Sequence, residues 1–541
     1  MPKTLYDTEV AMSHWATAPI DRLQVTLFAP TLDDSLTPDH PVRLFDEIVN
    51  DVDFSDWESM YVRVAGQPPI HPRLLAKVIL YGLSLGIRSS RKLEDACRNR
   101  LDFIWLVEGR VPDHSTFCDF RTQFGPQLKV LFRKIGRVGI EMGLVTLNQV
   151  VLDGTDTRAN NSRHNTARRT SLEQKTAALD AQIELLMKQA EEQDKSDDNL
   201  YGRETSPTHL PRELKDLKRR QEKLKEAMKK LAERESARAG RKDVSPKGPA
   251  IPLADPDSRV LPNKVGGHAP NYTSVLATDA DSGMILDTQV LAGNDETSTV
   301  LPAVENIERE LGAKPKQMVA DSGFNSGPNL AGLEEKGIEP LMPARQEFRE
   351  NPAIRPDPAQ PVPAEQRARL PINPQNKILD KAAFIHDAAN DCYRCPMGKT
   401  LDYSHDKAYK RDEKKGTYRI YQCAGCAGCP LAPQCLPKNA TERNIGRDEY
   451  EGHRQRTAER MKSEKGRAQY KRRSHAAETP FADLKSKMNF RQFLLRGLNK
   501  VAMELRWAAT AYNVLKLMKF KAAQAAKTLA AMATLPVAAM T

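Results

Sequence analysis

Residues 148–157 read NQVVLDGTDT and residues 316–324 read KQMVADSGF. Each is a short apolar, β-rich run closed by an acid and turn formers: Asp153-Gly154 in the first, Asp321-Ser322-Gly323 in the second. Continuous apolar runs of this length bounded by turn residues describe buried strands. Two carboxylates at the ends of two such strands can meet at one edge of a sheet, although 167 residues lie between them.

Working outward, NYTSVLATDA (271–280) and MILDTQVLA (284–292) flank Asp281-Ser282-Gly283, which is hairpin-turn chemistry. A helix is expected from Thr297 to Leu311, a second from Asn329 to Lys336, and a strand at IEPLMPAR, residues 338–345. Strand, hairpin, helix, strand, helix, strand is a mixed α/β order. The core is therefore placed at 146–165 and 255–348, and helices over 456–520 return to it before a frayed, Ala-rich tail, 521–541.

Residues 1–145 alternate apolar helical runs with polar breaks and read as a helical domain. In it, Thr116 and Asp119 form a capping-box-like start to a short helix carrying Arg121, which is suited to a DNA groove. The plainer reading is a helical bundle whose cations form its wet face. In the insertion 166–254, apolar residues step by threes, fours and sevens over two arms, Leu172 to Leu186 and Leu210 to Leu231. That pattern describes an antiparallel helical hairpin. Residues 350–375 are Pro-rich and read as an irregular linker at the start of a cysteine-rich insertion, 349–455.

The chain has 541 residues, with 82 Lys+Arg against 71 Asp+Glu and a net charge of +11. Its mean hydropathy of -0.58 and the lack of a long uncharged run exclude a membrane span. Asp7 and Glu9 interrupt the segment where a signal peptide needs an apolar core, so the expected compartment is the cytoplasm. There, eight cysteines are not expected to pair as disulfides. Six of them follow the pattern Cys392-x2-Cys395 and Cys423-x2-Cys426-x2-Cys429-x5-Cys435, a density that suggests a closed structural Zn2+ site. Spacing alone favours the two Cys-x2-Cys pairs. Cys97 and Cys118 are expected to be buried in helices.

Glu478, within YKRRSHAAETPFADLK (470–485), is the candidate third acid, carried on a helix packed against the sheet edge. Clustered carboxylates repel one another unless cations neutralise them. Two Mg2+ ions (or Mn2+) held by oxygen ligands would supply that neutralisation and favour phosphoryl transfer on nucleic acid. Asp156, Asp279, Asp281 and Asp287 are rival acids; Asp156 should lie on the strand face opposite Asp153, and Asp281 falls in the expected turn.

The combined pattern resembles the DDE transposases of bacterial insertion sequences: VVLDGT, MVADSGF and the segment from Tyr470 through Arg473 and Glu478 to Lys485, with HPRLLAKVILYGLSLGIRSSRKLEDACRNRLDFIWL upstream. The resemblance implies a ribonuclease-H-like core in which Asp153, Asp321 and Glu478 hold two Mg2+ ions. It implies that Tyr470, Arg473 and Lys485 lie near the DNA backbone, and it favours Cys395, Cys426, Cys429 and Cys435 as zinc ligands, with Cys392 and Cys423 as alternates. Arg473 stands five residues before Glu478, one more than the family's signature, which bears on the role of Arg473 and not on that of Glu478.

The resulting expectation is an enzyme that cuts double-stranded DNA at terminal inverted repeats and joins the freed ends to target DNA, working as a homodimer without a membrane partner. Two rivals are a transposase-derived DNA-binding or regulatory protein that does not cut, and a nuclease that cuts without joining.

Overall fold

The structure is a computed structural model, and it describes residues 31–61, 69–201, 212–238, 248–262, 266–344, 351–411 and 414–533. Among the described residues, seven helices come first: α1 (Pro41–Asn50), α2 (Ser55–Glu58), α3 (Pro72–Ser84), α4 (Ser90–Asn99), α5 (Leu101–Leu106), α6 (His114–Gln123) and α7 (Gly125–Glu141). Strand β1 (Gln149–Arg158) follows, then a short β2 (Thr166–Ala167) and two long helices, α8 (Arg169–Tyr201) and α9 (Arg212–Ser236). After β3 (Ile251–Pro252), the core continues through β4 (Arg259–Pro262), β5 (His268–Asp279), β6 (Ile285–Leu291), α10 (Val300–Leu311), β7 (Gln317–Val319), α11 (Gly327–Glu335) and β8 (Glu339–Leu341). The cysteine-rich region holds β9 (Ile385–Asp387), β10 (Cys392–Arg394), β11 (Thr400–Arg411), β12 (Lys414–Cys423), α12 (Ala432–Cys435) and β13 (Arg443–Arg447). The chain returns through α13 (Glu451–Lys462), α14 (Glu464–Lys471), α15 (Arg473–Ser486) and α16 (Leu498–Ala533).

The central sheet is mixed and runs β6-β5-β1-β7-β8, with β4 also paired to β5. β5 is antiparallel to β1 and β6, whereas β7 is parallel to β1 and β8 is parallel to β7. The mixed α/β order expected from the sequence is thus present. β1 is buried on both faces. Val150 and Leu152 join the main hydrophobic cluster, and Val151 packs with Val319, Leu341, Ala476 and Ala477 on the other face.

That main cluster also contains most of the helical N-terminal region, so α1 to α7 do not form a detached module. Trp57 stacks on Phe120 and Phe124 and meets Trp507 of α16 edge-on. Arg88 clamps the same junction, donating to the Asn489 carbonyl (2.8 Å), the Gln492 carbonyl (2.6 Å) and the Glu504 carboxylate (2.6 Å). Sharing its two terminal nitrogens among three acceptors offsets much of what burying this cation would cost.

Several expectations change on this frame. α6 starts earlier than its Thr116–Asp119 pattern suggests, because Asp113 caps it by accepting from the Ser115 amide at 2.7 Å. Cys118 is exposed on α6, not buried, while Cys97 is buried. The Pro-rich stretch is irregular as expected but packs as part of a domain and not as a linker: Ala353, Val362 and Leu370 are buried in the core of the cysteine-rich region. Of the tail expected to be frayed, 521–541, the part to Ala533 continues α16 as helix, and residues 534–541 lie outside the described residues.

The two-arm insertion is a helical hairpin. Leu172 packs with Ala227 and Leu231 at its base, and Ile183 packs with Leu214 and Leu217 further out. Residues 202–211, where the arms would join, lie outside the described residues. Among the described residues, no helix is long and apolar enough to cross a membrane.

Candidate active site

The parallel register between β1 and β7 places the first two acids. Val151 stands opposite Val319. Two residues further along each strand direction are Asp153 and Asp321, which share the face of the valines because side chains alternate along a strand. α15 covers that face. It can approach closely because the residues it presents, Ala476 and Ala477, are small; both are buried against Val151, Val319 and Leu341, with Tyr470 packed at the edge.

The two aspartates share one cation. Arg473, the first residue of α15, donates from one guanidinium nitrogen to Asp153 Oδ1 at 2.7 Å, and the same nitrogen lies 3.7 Å from Asp321 Oδ2. Asp321 Oδ1 also accepts the Gly323 amide at 2.7 Å, an Asx turn that fixes its carboxyl at the strand end. Further along α15, Lys485 donates to Thr155 Oγ1 at 2.6 Å. Thr155 is two residues beyond Asp153 and so lies on the same face of β1.

Glu478 lies seven residues before Lys485, on one stripe of α15. It is exposed and accepts from Ser474 Oγ at 3.3 Å. The two sheet acids are therefore already bridged by a cation, while the helix acid faces solvent. The donor chemistry fits a divalent cation, because two carboxylates face a position that a guanidinium nitrogen now occupies.

The sequence around α15 is strongly basic. Between Lys462 and Lys487 the cations are Lys462, Lys465, Arg467, Lys471, Arg472, Arg473, Lys485 and Lys487, against the acids Glu464, Glu478 and Asp483. Lys462, Lys465, Arg467, Lys471, Arg472 and His475 are exposed. A row of exposed cations beside an acid cluster can hold a phosphate backbone while the acids remain at the scissile position.

Arg121 is placed elsewhere. Its guanidinium turns into the helical region, donating to the Arg88 carbonyl at 2.8 Å, and burial pushes its pKa down to about 10. The outward residues of α6, including Ser115, Cys118, Asp119 and Gln123, carry no cation. α6 therefore lacks the basic face that a groove-reading helix would use, and the inward turn of Arg121 follows from the apolar pair Phe117 and Phe120, which fix how the helix is rotated.

Five thiols, those of Cys395, Cys423, Cys426, Cys429 and Cys435, line one cavity in the cysteine-rich region, whereas Cys392 sits on β10 outside it. The Cys423 thiol hydrogen-bonds to Cys395 and holds the Cys395 thiol at about 7, against the pull of burial. Burial drives Cys435 up to about 11. The donor set is right for a thiolate-bound metal in type and number. Among the described residues, however, the set of three potential ligating atoms that lie within 4.8 Å of one another is Glu94, Asp113 and His114; neither the thiols nor the three site acids draw in that far.

One acid near the site was not anticipated. A side chain at Gly154 would collide with the Glu296 carboxylate, which therefore sits against β1 on the face opposite the Asp153 side chain. The available signal was the glycine itself, since a glycine inside a buried strand marks a close approach by another group. Of the rival acids, Asp281 pairs with Arg472 from the hairpin turn. Asp279 is buried and accepts from Ser282 and the Leu147 amide, and Asp287 is buried with Gln289 and Asn306, so these two serve the fold.

No curated protein matches the chain. Residues 394–518, which contain α15, match the family described as Transposase DDE domain. Residues 30–123, the helical region, match the family described as Transposase domain (DUF772). The two matches together support a DDE transposase of the insertion-sequence type.

Proposed function

We propose that this chain catalyses divalent-metal-dependent cleavage at the ends of a DNA element and transfer of the freed strand into target DNA. The observation that carries the proposal is the pairing of Asp153 and Asp321 on adjacent parallel strands around one cation, beneath the helix that bears Glu478. An antiparallel β6-β5-β1 meander continuing into parallel β7 and β8 supports a ribonuclease-H-like core; β1 does not end at Asp153-Gly154 as its turn formers suggest but pairs with β5 on to Arg158, so Asp153 stands mid-strand and Asp321 just beyond β7.

In this reading Asp153, Asp321 and Glu478 hold two Mg2+ ions. The ions would supply charge stabilisation to the attacking and leaving oxygens of an in-line displacement at phosphorus. Glu478, on its exposed stripe of α15, closes the site from the helix side. Lys485, held at Thr155, lies beside the strand that carries Asp153 and is placed to meet a phosphate. Tyr470 and Arg473 stand at the α14–α15 junction, on the path of a DNA backbone that runs along the exposed cations from Lys462 to His475. Phosphate contacts of this kind make affinity steeply salt-dependent and carry little sequence information.

End recognition and synapsis of two ends call for a homodimer, and the thiol cavity for a structural Zn2+ held by four of its five cysteines. The deciding experiment uses DNA that flanks the gene. Wild-type protein with Mg2+ should cut and join this DNA, while Glu478→Gln should bind it without cutting. If both bind and neither cuts with Mg2+ or Mn2+, the non-catalytic DNA-binding reading replaces this one; cutting without joining points to a nuclease.

A further inference from the structure

The contact between Arg473 and the aspartate pair is poorly matched for a permanent ion pair. Arginine binds a carboxylate best through two parallel N–H donors. Here a single nitrogen serves Asp153 at 2.7 Å and Asp321 at 3.7 Å, and Arg473 Nε is buried without a hydrogen-bond partner.

The backbone gives the side chain a way out. Arg473 is the first residue of α15, immediately after Arg472, which caps both α14 and α15, so it stands where two helices join and not in the middle of either. Lys471, Arg472 and His475 around it are exposed, so a phosphate can reach this junction.

We propose that Arg473 is a positioning residue that holds the place of the divalent cation: it neutralises Asp153 and Asp321 in the DNA-free protein and passes to a DNA phosphate as the metal enters. This rests on the metal-dependent reading above. Metal and DNA then bind cooperatively. Each removes the partner that the other must displace, and the coupling is reciprocal. The DNA-free enzyme is kept from assembling a charged metal centre with no substrate in it.

The test is a titration of the full chain with Mn2+ alone, followed by the free-ion electron paramagnetic resonance signal, then repeated with a short duplex of the flanking DNA. Arg473→Gln should tighten DNA-free Mn2+ binding by about tenfold, within the roughly 5- to 150-fold range of typical site-to-site couplings. DNA should then raise the Mn2+ affinity of the wild type by more than it raises that of the variant. Equal or weaker Mn2+ binding by Arg473→Gln overturns the proposal. Adding Asp153→Asn separates the two levels of the argument: if the double variant still binds Mn2+ as Arg473→Gln does, the ions lie elsewhere and the metal-dependent reading itself fails. Should Arg473→Gln not fold, as judged by circular dichroism, Arg473→Lys keeps the charge and loses the reach. It should tighten Mn2+ binding by a smaller factor, and an unchanged affinity would overturn the proposal.

Discussion

The central sheet and the cysteine-rich sheet place their functional groups by different means. In the central sheet the acids are located by backbone register: Val151 and Val319 fix β1 against β7, and Asp153 and Asp321 follow two residues on. The surrounding apolar cluster is large, takes in α1 to α7 and α16, and holds the strands whether or not a ligand is present. In the cysteine-rich region the buried cluster is small and includes Cys423 and Cys435 among its members, with Cys395, Cys426 and Cys429 packed against it. There the candidate ligands are themselves part of the core, so binding a metal and folding become one event. A site fixed by register should lose function without losing structure; a site built from its own core should lose both.

Substituting the acids tests the first half of that contrast and should give the largest effect. Asp153→Asn or Asp321→Asn should reduce DNA cleavage by on the order of 10³-fold or more, with little change in the thermal midpoint. Cleavage rates set beside melting curves check this; parallel losses of rate and midpoint would break the contrast.

Metal removal addresses the other half. Chelation, or Cys426→Ser together with Cys429→Ser, should expose residues 351–447 to limited proteolysis while the central sheet stays resistant. Structural zinc typically contributes about 10 kcal/mol or more to the fold it closes. Zinc content by atomic absorption should fall from one ion per chain to none.

A third substitution sharpens the account of how α15 is seated. Ala477→Leu should cost about 1–3 kcal/mol by overpacking the interface with Val151 and Val319, and it should lower cleavage because Glu478 rides on the displaced helix. A stability loss with full activity would show that the seating of α15 does not set the position of Glu478.

The smallest effect concerns the join between the two regions. Glu334 of α11 is half-buried, which would raise its pKa, but Arg456, Arg460 and His453 of α13 hold it down at about 2. A carboxyl depressed in the folded state contributes stability above its unfolded value of about 4.3, and that contribution fades as pH falls towards 2. Glu334→Gln should therefore lower the thermal midpoint at neutral pH and flatten its decline between about pH 4.3 and 2, as thermal melts across that range would show.

Much of the core was legible because local signals and tertiary context agree. VVLD and QMVA are apolar on both strand faces and are buried on both, and the Asp281-Ser282-Gly283 turn joins β5 to β6 as its composition suggests. The helical hairpin was legible for the same reason, since Leu172, Ile183, Leu214, Leu217 and Leu231 meet at heptad spacing. Arg121 misled because its spacing reports a helix but not the helix's rotation, which Phe117 and Phe120 decide by packing inward. Glu296 was invisible because its importance comes from the space left at Gly154, 142 positions away in the chain. The packing of Ala353, Val362 and Leu370 was hidden by the prolines around them, which mark irregular backbone and say nothing about burial.

The most direct test of the central claim is to locate Mn2+ by anomalous scattering in crystals of the full chain bound to its flanking DNA. The account predicts two peaks about 4 Å apart, one touching both Asp153 and Asp321 and the other reached by Glu478, with Arg473 turned to a phosphate. Mn2+ at Glu94, Asp113 and His114 with none between Asp153 and Asp321 would contradict it.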